Sequence, residues 1–203
     1  KKNIVTNFPS PNLPGRHQIS NAGLAISCLE HLPIIIDYPS ISNGIRSAQW
    51  PGRLQNITEG PLFDKLLPGS ELWIDGAHNP AAAQILAQAI KEIGDEKSPS
   101  KPLILITGFM ETKNIQGFLQ EFREITDKLI AVPISWAHNG VSPIKISTIA
   151  ESIGISSIHS ETLEQGIDIA LKGLNHNEVP RILICGSLYL VGASLTASGL
   201  GII

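Results

Sequence analysis

From about residue 70 onward the chain alternates short, continuously apolar runs with longer segments whose apolar residues recur every three or four positions. That alternation of strand-like and helix-like period predicts an α/β fold built on a mostly parallel sheet with flanking helices. The strand runs fall at 72–75, 103–107, 129–133, 155–158 and 182–185. Continuous apolar runs suit strands covered by helices on both faces. Between them, Ile85, Leu86, Ala89, Ile90 and Ile93 mark a helix that opens at Pro80, with Gly94 as its stop. Phe118, Leu119, Phe122 and Ile125 mark a second helix. Ser142-Pro143 opens a third through Ile146, Ile149, Ala150 and Ile153, and Leu163, Ile167, Ala170, Leu171 and Leu174 mark a fourth. A last helix follows Ser187 through Leu190 and Val191 toward Ala197.

The first 46 residues stand outside this rhythm. Pro9, Pro11, Pro14 and Gly15 lead into one amphipathic helix with Ala22, Ala25, Ile26, Leu29 and Leu32 on a face. A lone helix cannot bury such a face, so it is expected to pack against something N-terminal to Lys1, which reads as a cut end. The stretch 33–47, rich in Pro, Ser, Asn and Gly, reads as a linker.

Charge and apolar-run length narrow the function classes. The chain of 203 residues carries 15 Lys and Arg against 18 Asp and Glu, a net charge of −3, which gives no basic footprint for nucleic acid or anionic lipid. Its apolar runs fall far short of the roughly 20 residues that span a bilayer, and no signal peptide opens it, so a cytoplasmic protein is expected. Cys28 and Cys185 have no C-x-x-C spacing and read as buried thiols. His31, His138, His159 and His176 lack ligand-like spacing, so no metal site is expected in this chain. There is no G-x-x-x-x-G-K-[ST], G-x-G-x-x-G, H-E-x-x-H or G-x-S-x-G motif, so ATP hydrolysis by this chain alone is not expected.

Ligands of open parallel sheets bind outside the carboxyl ends of the strands, which directs attention to the residues after each run. After the first, Asp75-Gly76-Ala77-His78-Asn79-Pro80 gathers a carboxylate, an imidazole and an amide at a helix N-terminus. Asp75 could accept ribose hydroxyls or hold a metal-bound water, and His78 could donate to a phosphate or carboxylate. An ordinary turn formed by Asp75, with Asn79 as helix cap, accounts for the same residues. Trp50-Pro51-Gly52-Arg53-Leu54-Gln55 puts Arg53 on a turn, either as a phosphoryl clamp or as a surface arginine. His17, Gln18 and Asn21 open the N-terminal helix, where amides could read a purine edge or cap the helix. Gly186-Ser187 could present N–H groups and a hydroxyl to a carboxylate, or serve as a cap.

Four motifs in order, Leu13-Pro14-Gly15-Arg16-His17-Gln18-Ile19-Ser20-Asn21-Ala22, Trp50-Pro51-Gly52-Arg53-Leu54-Gln55, Asp75-Gly76-Ala77-His78-Asn79-Pro80 and Gly186-Ser187-Leu188-Tyr189-Leu190, resemble the bifunctional folylpolyglutamate synthase/dihydrofolate synthase family of the Mur ligase superfamily. The resemblance implies a P-loop ATPase domain followed by a smaller Rossmann-like domain, with this chain as the C-terminal part. Residues 1–33 would close the ATPase domain, 34–47 would link, and 48–203 would form the C-terminal, glutamate ligase domain. By motif, Asn21 resembles the adenine-side amide, Arg53 the arginine on the ATP phosphates, Asp75 the carboxylate on the nucleotide, and His78 a histidine of the same site with a catalytic role. Ser187 falls in a motif associated with glutamate. A family Asp-Lys-Asp segment reads here Glu111-Thr112-Lys113-Asn114, which keeps the lysine but not the two Asp residues. The implied reaction is ATP-dependent addition of L-glutamate to dihydropteroate or a folate through an acyl phosphate, with Mg²⁺ held mostly by upstream residues. The full-length enzyme would be a monomer, and this part would be inactive alone. A cell-wall Mur ligase and a non-catalytic Rossmann-like binding module are the competing readings.

Overall fold

The computed structural model describes residues 6–96, 101–134, 137–172 and 178–201. The chain divides into two compact units, Lys1–Arg53 and Leu54–Ile203. Lys1, Leu174 and His176 lie outside the described residues.

The first unit holds α1 (His17–Glu30) and α2 (Tyr38–Ser47). Helix α2 occupies most of the stretch whose composition suggested a linker. Asp37 caps it by accepting the Ser40 N–H at 2.8 Å, and Pro39 sits in its first turn, so this composition starts a helix rather than preventing one. Asn12 N–H donates to the Ile45 carbonyl, and Phe8 stacks on Tyr38 with ring centroids 5.2 Å apart. On α1, Ala22, Ile26 and Leu29 are half-buried while Ala25 is exposed, as is Leu32 just beyond the helix; Gln18 is the helix's buried residue. Cys28, expected to be a buried thiol, is exposed. With Ser27 it lies on a side of α1 that the described residues leave exposed.

The second unit is the α/β fold the alternation calls for. Its elements are β1 (Gln55–Ile57), β2 (Glu71–Ile74), α3 (Pro80–Glu96), β3 (Leu103–Thr107), α4 (Ile115–Gln120), β4 (Lys128–Ala131), α5 (Pro143–Ser152), β5 (Ser157–His159), α6 (Leu163–Lys172), β6 (Arg181–Cys185) and α7 (Leu188–Ala197). The sheet order is β1-β2-β6-β3-β4-β5, parallel throughout except for antiparallel β1. Side chains of a strand alternate between faces, and the core follows that rule. Trp73, Leu103, Leu105, Leu129, Ala131, Leu183 and Cys185 pack with α3, α4 and α5, whereas Leu72, Ile74, Ile104, Ile106, Ile130, Ile182 and Ile184 pack with α6 and α7.

Several boundaries differ from expectation. Strand β5 begins at Ser157 rather than 155; it is an edge with one half-buried and two exposed residues, so no two-sided apolar run announces it. Strand β1 was not expected, because Gln55 and Asn56 interrupt any apolar pattern at that edge. Helix α4 stops at Gln120, and Phe122 reaches the core from the turn that follows, stacked on Phe118 at 5.4 Å. Helix α3 runs past Gly94. A Cβ there would lie 2.9 Å from Arg181 Nη1, so Gly94 makes room for a buried guanidinium and does not stop the helix. No helix among the described residues is long and apolar enough to cross a membrane.

At the amino edge of the sheet, Glu71 on β2 accepts from Arg181 Nε on β6 at 2.8 Å, from Lys101 Nζ at 2.8 Å and from Trp73 Nε1 at 3.1 Å. Glu71 and Arg181 are 7% and 4% exposed, so the cluster ties strands inside the protein and is not an opening to solvent.

Candidate functional site

The opposite, carboxyl edge is shaped by the strand order. Helices α3, α4 and α5 leave β2, β3 and β4 toward one face, while α6 and α7 leave β5 and β6 toward the other. Because β6 lies between β2 and β3, neighbouring strands send their chains to opposite faces there. This is the switch point at which open α/β sheets form a ligand crevice.

Asp75 follows β2, and its main-chain N–H donates to the Ile184 carbonyl of β6 at 3.0 Å, so the ladder extends up to the candidate residue. Its side chain accepts two backbone N–H groups: Leu54 donates to Oδ2 at 2.8 Å and Ala77 to Oδ1 at 2.7 Å. The second is the turn predicted from an Asp at this place. His78 Nδ1 donates to the Gly76 carbonyl at 2.8 Å, since a carbonyl can only accept. That bond sets the tautomer: in a neutral ring Nε2 is an acceptor, and it donates only in the imidazolium form. Asn79 is the cap of α3, its Oδ1 accepting the Ala82 N–H at 2.9 Å, so its amide serves the helix.

Ser187 joins this turn through its neighbour. Gly186 N–H donates to the Ala77 carbonyl at 2.8 Å, which ties the end of β6 to the Asp75–His78 turn. Gly186 has φ +105°, and a Cβ there would come 2.4 Å from Thr107 Oγ1 and 2.8 Å from the Gly108 carbonyl, so glycine is required on both counts. Ser187 is 3% exposed and caps α7, its Oγ accepting the Tyr189 N–H at 3.2 Å. The structure therefore brings Asp75, His78 and Ser187 to one edge of one unit. The Cys185 thiol beneath them is pushed well above its ordinary range by burial and, secondarily, by the charge of Asp75, so it stays protonated.

Asn21 and Arg53 belong to the first unit. Asn21 is exposed and donates to Gln18 Oε1 at 3.0 Å; Gln18 Nε2 in turn lies 2.9 Å from His17 Nε2. The Arg53 guanidinium lies over the Trp50 ring, 5.5 Å from its centroid, an exposed cation–π pair worth about 0.5–1 kcal/mol. In the Glu111–Asn114 segment, Asn114 caps α4 by accepting the Gly117 N–H at 2.9 Å, a task an Asp performs equally well. Thr107 and Leu54 were not singled out from the sequence. Thr107 Oγ1 donates to the Cys185 carbonyl at 2.9 Å, and its polar position at the end of an apolar run was the available signal. For Leu54, which donates to Asp75 from 21 residues upstream, no local signal existed. Among the described residues no group of three or more His, Cys, Asp or Glu could hold a metal ion.

A family model for the dihydrofolate synthetase C-terminal domain matches residues 67–197. The chain belongs to the dihydrofolate synthetase family. A probable dihydrofolate synthetase of Schizosaccharomyces pombe is 30% identical over 196 residues, covering 94% of this chain and 45% of that protein. Among solved structures, a Mycobacterium tuberculosis folylpolyglutamate synthase complexed with ADP and AMPPCP superposes with a TM-score of 0.76 at 23% identity, over 93% of this chain and 41% of the other. A bifunctional folylpolyglutamate synthase/dihydrofolate synthase of Yersinia pestis complexed with AMPPNP and Mn ion gives a TM-score of 0.74 at 24% identity, over 97% and 42%. The chain thus spans less than half the length of these relatives, and the shared α/β architecture is that of the dihydrofolate synthetase C-terminal domain.

Proposed function

We propose that this member of the dihydrofolate synthetase family serves an ATP-dependent ligase that joins L-glutamate to dihydropteroate or to the γ-carboxylate of a folate. The observation that carries the reading is the meeting of the Asp75–His78 turn and the Ser187 helix cap at the switch point of a domain matching that family. In this reading residues 1–33 close the ATPase domain, 34–47 connect, and 48–203 form the glutamate ligase domain.

In the reaction a substrate carboxylate attacks the γ-phosphorus of ATP, forming an acyl phosphate and releasing ADP. The glutamate amine then attacks the acyl carbon, phosphate leaves, and the amine loses a proton. Asp75 supplies an acceptor for nucleotide hydroxyls, and Asn21 and Arg53 serve the base and the phosphates. His78, with Nδ1 bound to the Gly76 carbonyl, leaves Nε2 for the reacting groups. Ser187 and the α7 N-terminus meet a glutamate carboxylate. Positioning of this kind supplies several kcal/mol of barrier reduction. The Mg²⁺ that accompanies ATP would be held mostly by residues upstream of this chain, where it would offset the phosphate charge. The enzyme is cytoplasmic and acts as a monomer when full length.

The test is glutamate-dependent ADP release by the full-length gene product, with dihydropteroate and with a reduced folate as acceptors. Release with at least one acceptor is expected, and this chain alone is expected to give none. In the full-length protein Arg53→Ala and Asp75→Ala should each raise KM for ATP by about tenfold or more, the worth of one charge-assisted contact. Absence of release with both acceptors refutes the reading, and unchanged kinetics in both variants refutes the site assignment.

A further inference from the structure

Leu54 is the only non-glycine residue with positive φ among the described residues, at +42°, and it is 2% exposed. A bulky residue in the left-handed region is strained and persists only where its surroundings over-determine it. Two features do so here. The Leu54 side chain is packed in the core with Trp73, Ala77 and Ala83, and its N–H is spent on Asp75 Oδ2 at 2.8 Å. Ala77, in the same cluster, donates to the other oxygen of the same carboxylate. The two donors come from segments more than 20 residues apart and grip one carboxylate from two sides.

We propose that Leu54 is a positioning residue of this site, whose buried side chain and left-handed backbone aim an N–H at Asp75 and thereby fix the carboxylate for its ligand. The proposal rests on the nucleotide reading above and adds to it a residue that makes no contact with the ligand itself. A carboxylate oxygen has two acceptor positions, so one that takes a backbone N–H can take a ligand hydroxyl as well. With the carboxylate already oriented, a ligand need not bear the entropy of ordering it.

Two measurements on the ¹⁵N-labelled chain test this. In the first, without nucleotide, the Leu54 and Ala77 amides should exchange roughly a hundredfold more slowly than in an unstructured chain, and both should lose protection in Asp75→Ala while the Leu183 and Ile184 amides keep theirs. If Asp75→Ala fails to fold, Asp75→Asn serves: the two donors lie on different oxygens, one of which becomes an NH₂ group, so one of the two amides should lose protection. In the second, ADP is titrated to millimolar concentration. Leu54→Ala should weaken binding about tenfold in the Asp75 background and not at all in the Asp75→Ala background, because its effect runs through that carboxylate. Equal weakening in both backgrounds, or a Leu54 amide indifferent to Asp75, overturns the proposal. Failure of the unaltered chain to bind ADP counts against the nucleotide reading, and the amide comparison then decides by itself whether Leu54 holds Asp75.

Discussion

The Glu71 cluster makes a quantitative prediction about acid stability. Burial by itself would push the Glu71 carboxyl above its ordinary value of 4.5, but bonds from Arg181, Lys101 and Trp73 outweigh it and hold the group down at about 2. A folded-state pKa below the unfolded one means that folding favours the ionised form, so the stabilisation is complete above pH 4.5 and fades as pH falls toward 2. A gap of about two and a half units corresponds to roughly 3 kcal/mol, of which about 2 kcal/mol is already lost at pH 3. The partners are nearly buried, so salt screens this pair less than a surface one. Urea unfolding of the unaltered chain and of Glu71→Gln at pH 7, 5, 4 and 3 would read the effect. At pH 7 Glu71→Gln should cost about 3–5 kcal/mol, because it strands the buried Arg181 charge. The difference between the two proteins should then shrink by about 2 kcal/mol between pH 5 and pH 3. A difference that stays constant over that interval would refute the depressed pKa and the reasoning with it.

Two further predictions concern the carboxyl edge and the cysteines. Gly186→Ala should destabilise by about 2 kcal/mol or more, combining a positive-φ penalty with a clash against Thr107 and Gly108, and thermal unfolding would detect it as a fall in Tm. In the folded chain a thiol reagent should label Cys28 within minutes and Cys185 only on unfolding; equal labelling would contradict the burial and raised pKa of Cys185.

The sheet was legible because burial on both faces leaves a direct trace in sequence: Leu103, Ile104, Leu105, Ile106 and Thr107 form one run, and every one of them is buried. Caps were legible for a similar reason, since Ser142-Pro143 carries its own local chemistry. What was hidden depends on partners remote in sequence. Gly94 looks like a helix stop until Arg181 is seen beside it, and the edges β1 and β5 carry little apolar signal because half of each faces away from the core. Cys28 was misread because residue type alone sets no burial on a helix with few neighbours. At the site, the Asp75 turn and the Ser187 cap were visible as local motifs, while their contact through Gly186 and Ala77 required the strand order.

Strand β2 opens on one carboxylate, Glu71, and is followed by another, Asp75, four residues on, and their surroundings separate their roles. Glu71 is met by two cations and an indole, an arrangement that spends its charge inside the protein and depresses its pKa. Asp75 accepts the backbone N–H groups of Leu54 and Ala77, which orient its carboxylate. An anion oriented at a switch point, beside an imidazole and a second helix N-terminus, is placed to meet a ligand; an anion sealed inside between Arg181 and Lys101 cannot do so without losing about 3 kcal/mol of fold stability. Swapping the environments therefore predicts the asymmetry of the variants: Glu71→Gln should act on unfolding and leave ADP binding by the folded chain unchanged, whereas Asp75→Asn should act on ADP binding with a smaller effect on unfolding. Equal effects of the two substitutions on both measurements would remove the distinction between the two ends of the strand.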